Sequence, residues 1–145
     1  MSSCTFIGHK DCPYYIKEKI RVAIEDLIMY RNVTDFYIGT NGMFDKYVYD
    51  ILCDLEKTYR IKIQVVLSYL NIKQNEYYDN IKTLFPFELS LVPKRFAIVK
   101  RNNYMISKSQ YMVCYVNNTY TNAYKYIDMA RKRKLQIINL GELNV

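Results

Sequence analysis

Hydrophobic positions in this chain fall into short apolar runs separated by longer amphipathic stretches. Cys4-Thr5-Phe6-Ile7 is a short run that stops at Gly8 and predicts a buried strand. From Pro13 to Tyr30 the period changes. Ile16, Ile20, Ala23, Ile24, Leu27 and Ile28 recur at helical spacing, while Lys17, Glu18, Lys19, Arg21 and Glu25 fill the opposite face. Pro13 suits the first turn of that helix. Asp35 to Ile38 predicts a second strand ending at Gly39, and a helix follows from about Phe44 to Tyr59 with Val48, Ile51, Leu52 and Leu55 inward. Ile61 to Tyr69 predicts a third strand around Val65-Val66-Leu67.

Asn71 to Pro93 has no clear period and leaves room for a short helix and an extended piece. Its aromatics Tyr77, Tyr78, Phe85 and Phe87 suit either an interface core or a cover for the sheet. Pro93 then opens a helix to Ser109, Tyr111 to Val116 reads as a fourth strand, and Thr119 to Lys134 as a last helix with Ala123, Ile127 and Ala130 inward. Leu135 to Leu140 is the fifth strand. Strands alternating with helices imply one α/β domain over residues 1–145. The expected fold is a Rossmann-like three-layer sandwich with five mostly parallel strands in the order 3-2-1-4-5. Ligands of such sheets sit outside the carboxyl ends of the strands, where the order reverses, here between the first and fourth strands.

Composition narrows the picture. Half of the 145 residues are hydrophobic, enough for a proper core. Lys and Arg total 21 against 14 Asp and Glu, a formal charge of +7 that favours anionic partners. The cluster Arg131-Lys132-Arg133-Lys134 sits at a helix C-terminus, where the helix dipole favours cations, so it reads as a solvated end and not as a nucleic-acid stripe. The four cysteines, Cys4, Cys12, Cys53 and Cys114, form no CxxC pair, and His9 is the single histidine. Reduced, packed thiols are therefore expected, with no metal site. The opening MSSCTFIGHK lacks the pattern of a signal peptide, and no run suits a membrane span. A cytoplasmic protein is expected.

The candidate chemistry lies in three loops that follow strands. In Gly8-His9-Lys10, the glycine permits a sharp turn, His9 can donate to a phosphate or ribose, and Lys10 adds charge; equally, Gly8 can simply end a strand with His9 on the surface. Gly39-Thr40-Asn41-Gly42-Met43-Phe44-Asp45 is neither a dinucleotide fingerprint nor a Walker loop, but it offers free amides, a hydroxyl and a carboxylate. Asp45 can cap its helix or bind a ribose or base. The third loop is Asn117-Asn118-Thr119-Tyr120-Thr121-Asn122, where Thr119 or Thr121 can cap the final helix and Tyr120 can stack on a base. Arg101-Asn102, on the preceding helix, reaches toward the same edge.

Together these segments resemble the small SLOG proteins of bacteria, in the branch that includes YpsA-like proteins. Cys4-Thr5-Phe6-Ile7-Gly8-His9-Lys10 is similar to that branch's strand followed by GH[RK], and Phe36 to Asp45 to its glycine loop ending in GxFD. Val92-Pro93-Lys94-Arg95-Phe96-Ala97, with Arg101-Asn102 and Met105, resembles its later helix, and Ile137-Ile138-Asn139-Leu140 its closing strand. The resemblance implies a site for a nucleotide-derived ligand, such as an ADP-ribose-like molecule or a nucleoside phosphate, at the carboxyl edge of the sheet. Its residues would be Gly8, His9, Lys10, Gly39, Thr40, Asn41, Gly42, Phe44, Asp45, Arg101, Asn117, Asn118, Thr119, Tyr120 and Thr121. Such a protein senses or sequesters its ligand, in settings that include anti-phage defence. Separately, the aromatics of the Asn71 to Pro93 stretch make a homo-oligomer the expectation.

The related LOG enzymes cleave nucleoside monophosphates and carry a PGGxGTxxE loop. The corresponding stretch here, Val116 to Tyr124, replaces the glycines with Asn117, Asn118 and Tyr120 and the glutamate with Tyr124, keeping only Thr121. That departure favours binding over LOG-type hydrolysis. The alternatives are an N-glycosidic hydrolase that uses another acid, such as Asp45, and a ligand-free interaction scaffold. No catalytic residue, cofactor or metal is assigned.

Overall fold

A computed structural model describes residues 2–68 and 78–143. Six parallel strands form one sheet in the order β4-β3-β2-β1-β5-β6. They are β1 (Ser2–Gly8), β2 (Val33–Ile38), β3 (Lys62–Val66), β4 (Thr83–Leu84), β5 (Tyr111–Tyr115) and β6 (Gln136–Asn139). The expected order holds, with one more strand than the hydrophobic pattern predicts. That strand is β4, two residues on the outer edge, paired with Val65 and Val66 of β3. Two residues carry no readable period, so this strand is defined by its hydrogen bonds alone.

Among the described residues the α-helices are α1 (Ile16–Arg31), α2 (Met43–Leu55), α3 (Phe87–Ser90), α4 (Ala97–Ser107) and α5 (Asn122–Lys132). The helices α1, α2, α4 and α5 are shorter than the amphipathic stretches that predict them, and α3 lies in the aperiodic stretch that leaves room for a short helix. Residues after Pro13 make a turn, with the Ile16 N–H donating to the Pro13 carbonyl at 3.0 Å, before α1 begins. Lys94–Phe96 forms a single 3-10 turn ahead of α4. Asn32 closes α1 in the left-handed conformation (φ 56°), which asparagine tolerates.

Two apolar layers flank the sheet. Phe6, Phe36 and Val113 face α1 and α2, burying Ile20, Ile24, Leu27, Val48 and Leu52. Ile7, Met112 and Cys114 face α4 and α5, burying Met105, Ile106, Ile127 and Ala130. Each large side chain so buried contributes roughly 1.5–3 kcal/mol. Ile7, Ile38, Val65, Val66 and Val113 are buried, whereas Ile137 is only half-buried because β6 is an edge strand. Ala123 is likewise half-buried. Of the four cysteines, Cys4, Cys12 and Cys114 are buried and Cys53 is half-buried. Burial pushes the Cys12 thiol up to about 11 and that of Cys114 to about 12, so these side chains behave as small apolar groups.

Within the aperiodic stretch, Tyr77 lies outside the described residues. Tyr78 is buried edge-on against Tyr49, with centroids 4.7 Å apart, and Phe85 packs on the core, whereas Phe87 is exposed. Tyr78 and Phe85 thus serve the cover role. Among the described residues, no helix is long and apolar enough to cross a membrane.

Candidate functional site

The loops after β1, β2 and β5 meet at one end of the sheet. The Met43 N–H donates to the Lys10 carbonyl at 2.8 Å, tying the second loop to the first. The Asn117 N–H donates to His9 Nε2 at 3.0 Å, tying the third loop to the first. His9 also stands edge-on to Tyr115, and its backbone N–H donates to the Tyr115 carbonyl at 3.2 Å. Because Nε2 accepts, the neutral ring carries its proton on Nδ1. Burial lowers the imidazole pKa, which favours that neutral form. His9 therefore acts first as a strut between two loops.

The glycines of these loops are packing devices. A Cβ at Gly8 would lie 2.4 Å from the Phe44 ring. Phe44 is fully buried and stacks on Tyr115, so it belongs to the core beneath the loops. Gly42 has φ +91°, and a Cβ there would meet Lys10 Cα at 2.6 Å. A Cβ at Gly39 would lie 2.8 Å from Arg101 Cζ and 3.0 Å from Asp45 Oδ2. The close approach expected between glycine backbone and phosphate is thus made, at these positions, between parts of the protein itself.

Asp45 and Arg101 form the buried polar centre of this region, at 6% and 2% exposure. Asp45 stands in the first turn of α2, and its Oδ2 accepts the Asn41 N–H at 2.8 Å, which organises the start of the helix. The guanidinium of Arg101 donates to Asn102 Oδ1 at 3.1 Å and to Thr40 Oγ1 at 3.4 Å. Burial pushes the Asp45 carboxyl up to about 6, against the opposing pull of the Arg101 charge and the Asn41 N–H. Asp45 thus ties the loop ahead of α2 and makes no side-chain cap bond to the helix, a correction to the cap reading, and it also lines the cleft.

That cleft, about 680 Å³, opens between the strand ends, α4 and α5. From the expected set, Gly8, His9, Lys10, Asn41, Asp45, Arg101 and Thr121 line it. Four cationic side chains, Lys10, Arg95, Arg101 and Lys125, face it against the single carboxylate of Asp45. A larger groove of about 830 Å³ lies beside α1 and is not lined by any of the three loops.

Sequence comparison adds nothing to the geometry. No protein-family model matches the chain, and no curated protein matches it significantly. The case for the site therefore rests on its residues.

The third loop contributes less to the cleft than expected. Asn117 spends its side chain on Tyr115 Oη (3.0 Å) and the Glu142 N–H (3.1 Å). The Asn118 side chain accepts the Tyr120 N–H at 3.1 Å. Thr119 is exposed, and Tyr120 is 95% exposed and projects from the surface. Thr121 occupies the N-cap position of α5, but its hydroxyl donates to the Asn118 carbonyl at 3.5 Å and makes no cap bond to the helix. Conversely, Arg95 and Lys125 line the cleft from outside the expected set, as does Asn102, which the sequence places toward the same edge beside Arg101. The signal for Arg95 and Asn102 is helical spacing, and Lys125 stands at i+3 from Asn122 beside the stripe on α5. Arg95, Asn102 and the intervening Val99 repeat at i, i+4 and i+7, as do Asn122, Tyr126 and Met129 on α5.

Proposed function

We propose that this chain binds a nucleotide-derived anion, an ADP-ribose-like molecule or nucleoside phosphate, in the cleft around Asp45 and Arg101. The observation that carries this reading is the charge of the cleft: four cationic groups converge on a concavity that holds one carboxylate, at the carboxyl ends of parallel strands. Arg101 supplies a buried, preoriented guanidinium for phosphate, and Lys10, Arg95 and Lys125 give a basic rim. Asp45 is placed to accept from a ribose hydroxyl or a base. The resemblance to SLOG proteins supports the same reading, and with it a role as sensor or sequestering protein. A second reading, N-glycosidic hydrolysis, draws on Asp45 itself, since a carboxyl that titrates near neutrality suits proton transfer.

Calorimetric titration with ADP-ribose and AMP as probes tests the proposal. One-to-one binding is expected, and Arg95→Glu with Lys125→Glu, both exposed, should weaken it by about tenfold or more without lowering the melting temperature. No binding of either probe at millimolar concentration would overturn it. Release of free base or ribose phosphate would shift the assignment to the hydrolase.

A further inference from the structure

The groove beside α1 is a second feature of the fold, unrelated to the strand-end cleft. On the α1 face of the sheet, α1 and α2 pack over the inner strands, whereas α5 packs against β6 from the opposite face. Among the described residues no helix covers β6 on the α1 side, and Tyr111 at the start of β5 is only half-buried there. The result is an apolar trough of about 830 Å³, floored by Tyr111, Ile138 and Leu140 and walled by α1. Val22, on that wall, is 60% exposed.

The polar residues of the wall are arranged with a symmetry of their own. Lys19, Val22, Ala23 and Asp26 all line the groove at spacing i, i+3, i+4 and i+7, one stripe of a single helix face. The stripe reads base, apolar, apolar, acid. Reversed and laid against itself about a point between Val22 and Ala23, it sets Lys19 opposite Asp26 and Asp26 opposite Lys19. Among the described residues neither of these makes an ion pair within the chain, although Arg21, one position from the stripe, pairs with Glu25 and Asp54. The groove as a whole carries Glu18 and Asp26 against Lys19 and Arg31, a balanced patch on a molecule of charge +7. A balanced patch lets two copies of a basic chain meet without net repulsion at the contact.

We propose that this groove is the interface between two copies of the chain, joined about a twofold axis with their α1 helices antiparallel. Each copy's Val22 packs over the other's exposed trough, and two Lys19–Asp26 pairs set the register. A twofold contact requires a self-complementary surface, and the charge order of the stripe supplies it.

Sedimentation velocity from about 1 to 100 µM reads the outcome, with circular dichroism and thermal melting as controls on folding. The wild type should be a dimer. Asp26→Lys places Lys19 against a lysine twice and should raise the dimer dissociation constant by at least about tenfold. Adding Lys19→Glu reverses both pairs and should restore dimerisation. A wild-type monomer would overturn the proposal and leave the groove to a different partner. So would a dimer indifferent to Asp26→Lys, or a double variant as dissociated as the single one.

Discussion

The loop after β2 and the loop after β5 end at the same edge of the sheet, yet they are held by different means. The first adds close packing to the hydrogen bonds of Met43 to Lys10 and Asn41 to Asp45: Gly42 lies on the Lys10 backbone, Gly39 on Arg101 and Asp45, and Phe44 is sunk in the core. The second is held by hydrogen bonds: Asn117 to His9, Tyr115 and Glu142, and Asn118 to Tyr120. A loop locked by contact cannot yield without disturbing the fold. A loop held by a few exchangeable bonds can move at modest cost. The buried loop delivers Asp45 to the cleft in a fixed position, and the exposed one leaves Tyr120 in solvent at the rim.

This contrast is most directly broken at Gly42. A side chain there combines a left-handed backbone with a clash against Lys10, so Gly42→Val should lose about 3 kcal/mol or more of unfolding free energy in urea titration. A loss below about 1 kcal/mol would mean that the loop is freer than its contacts indicate.

The pH dependence of stability sharpens the same comparison, because Asp45 belongs to the packed loop and His9, in the loop after β1, is the group on which the hydrogen-bonded loop leans. The folded-state pKa of Asp45 is raised, so its contribution is fully present below the ordinary carboxyl value of 3.8 and is lost as pH rises through about 6. His9 is lowered, so its contribution is present above its ordinary value of 6.5 and is lost as the solution is acidified. The two oppose each other across the acid range. Asp45→Asn should remove the loss of stability above pH 4, leaving the variant relatively more stable at pH 7 than at pH 4 by roughly 1–3 kcal/mol when both are referred to wild type. Parallel profiles for variant and wild type would show that burial does not perturb this carboxyl.

The smallest effect is expected in the hydrogen-bonded loop. His9→Ala removes the acceptor of the Asn117 N–H and should cost about 1 kcal/mol. Amide exchange should quicken at Asn117 and its neighbours while Asn41 and Met43 stay protected. Equal acceleration in both loops would show that they open as one unit.

Much of the fold was legible because it follows from period and punctuation. The runs ending at Gly8 and Gly39, the helical stripes of α1 and α2, and right-handed crossovers lead to the parallel sheet and its order without any coordinates. Asp45 and Arg101 were legible as site candidates from their places after a strand and on a helix. What only the tertiary structure decided are relations between segments distant in the chain. These are the pairing of two-residue β4 with β3, the contact of Gly42 with Lys10, and the use of His9 Nε2 by Asn117 across more than a hundred positions. Arg95 and Lys125 join Lys10 only because the 3-10 turn leading into α4 and the helix α5 both border the strand ends. The physical reason is one of range. Hydrophobic period and backbone preference act over a few residues and are written locally, whereas a cleft, a clash or a buried ion depends on which distant segments the packing brings together.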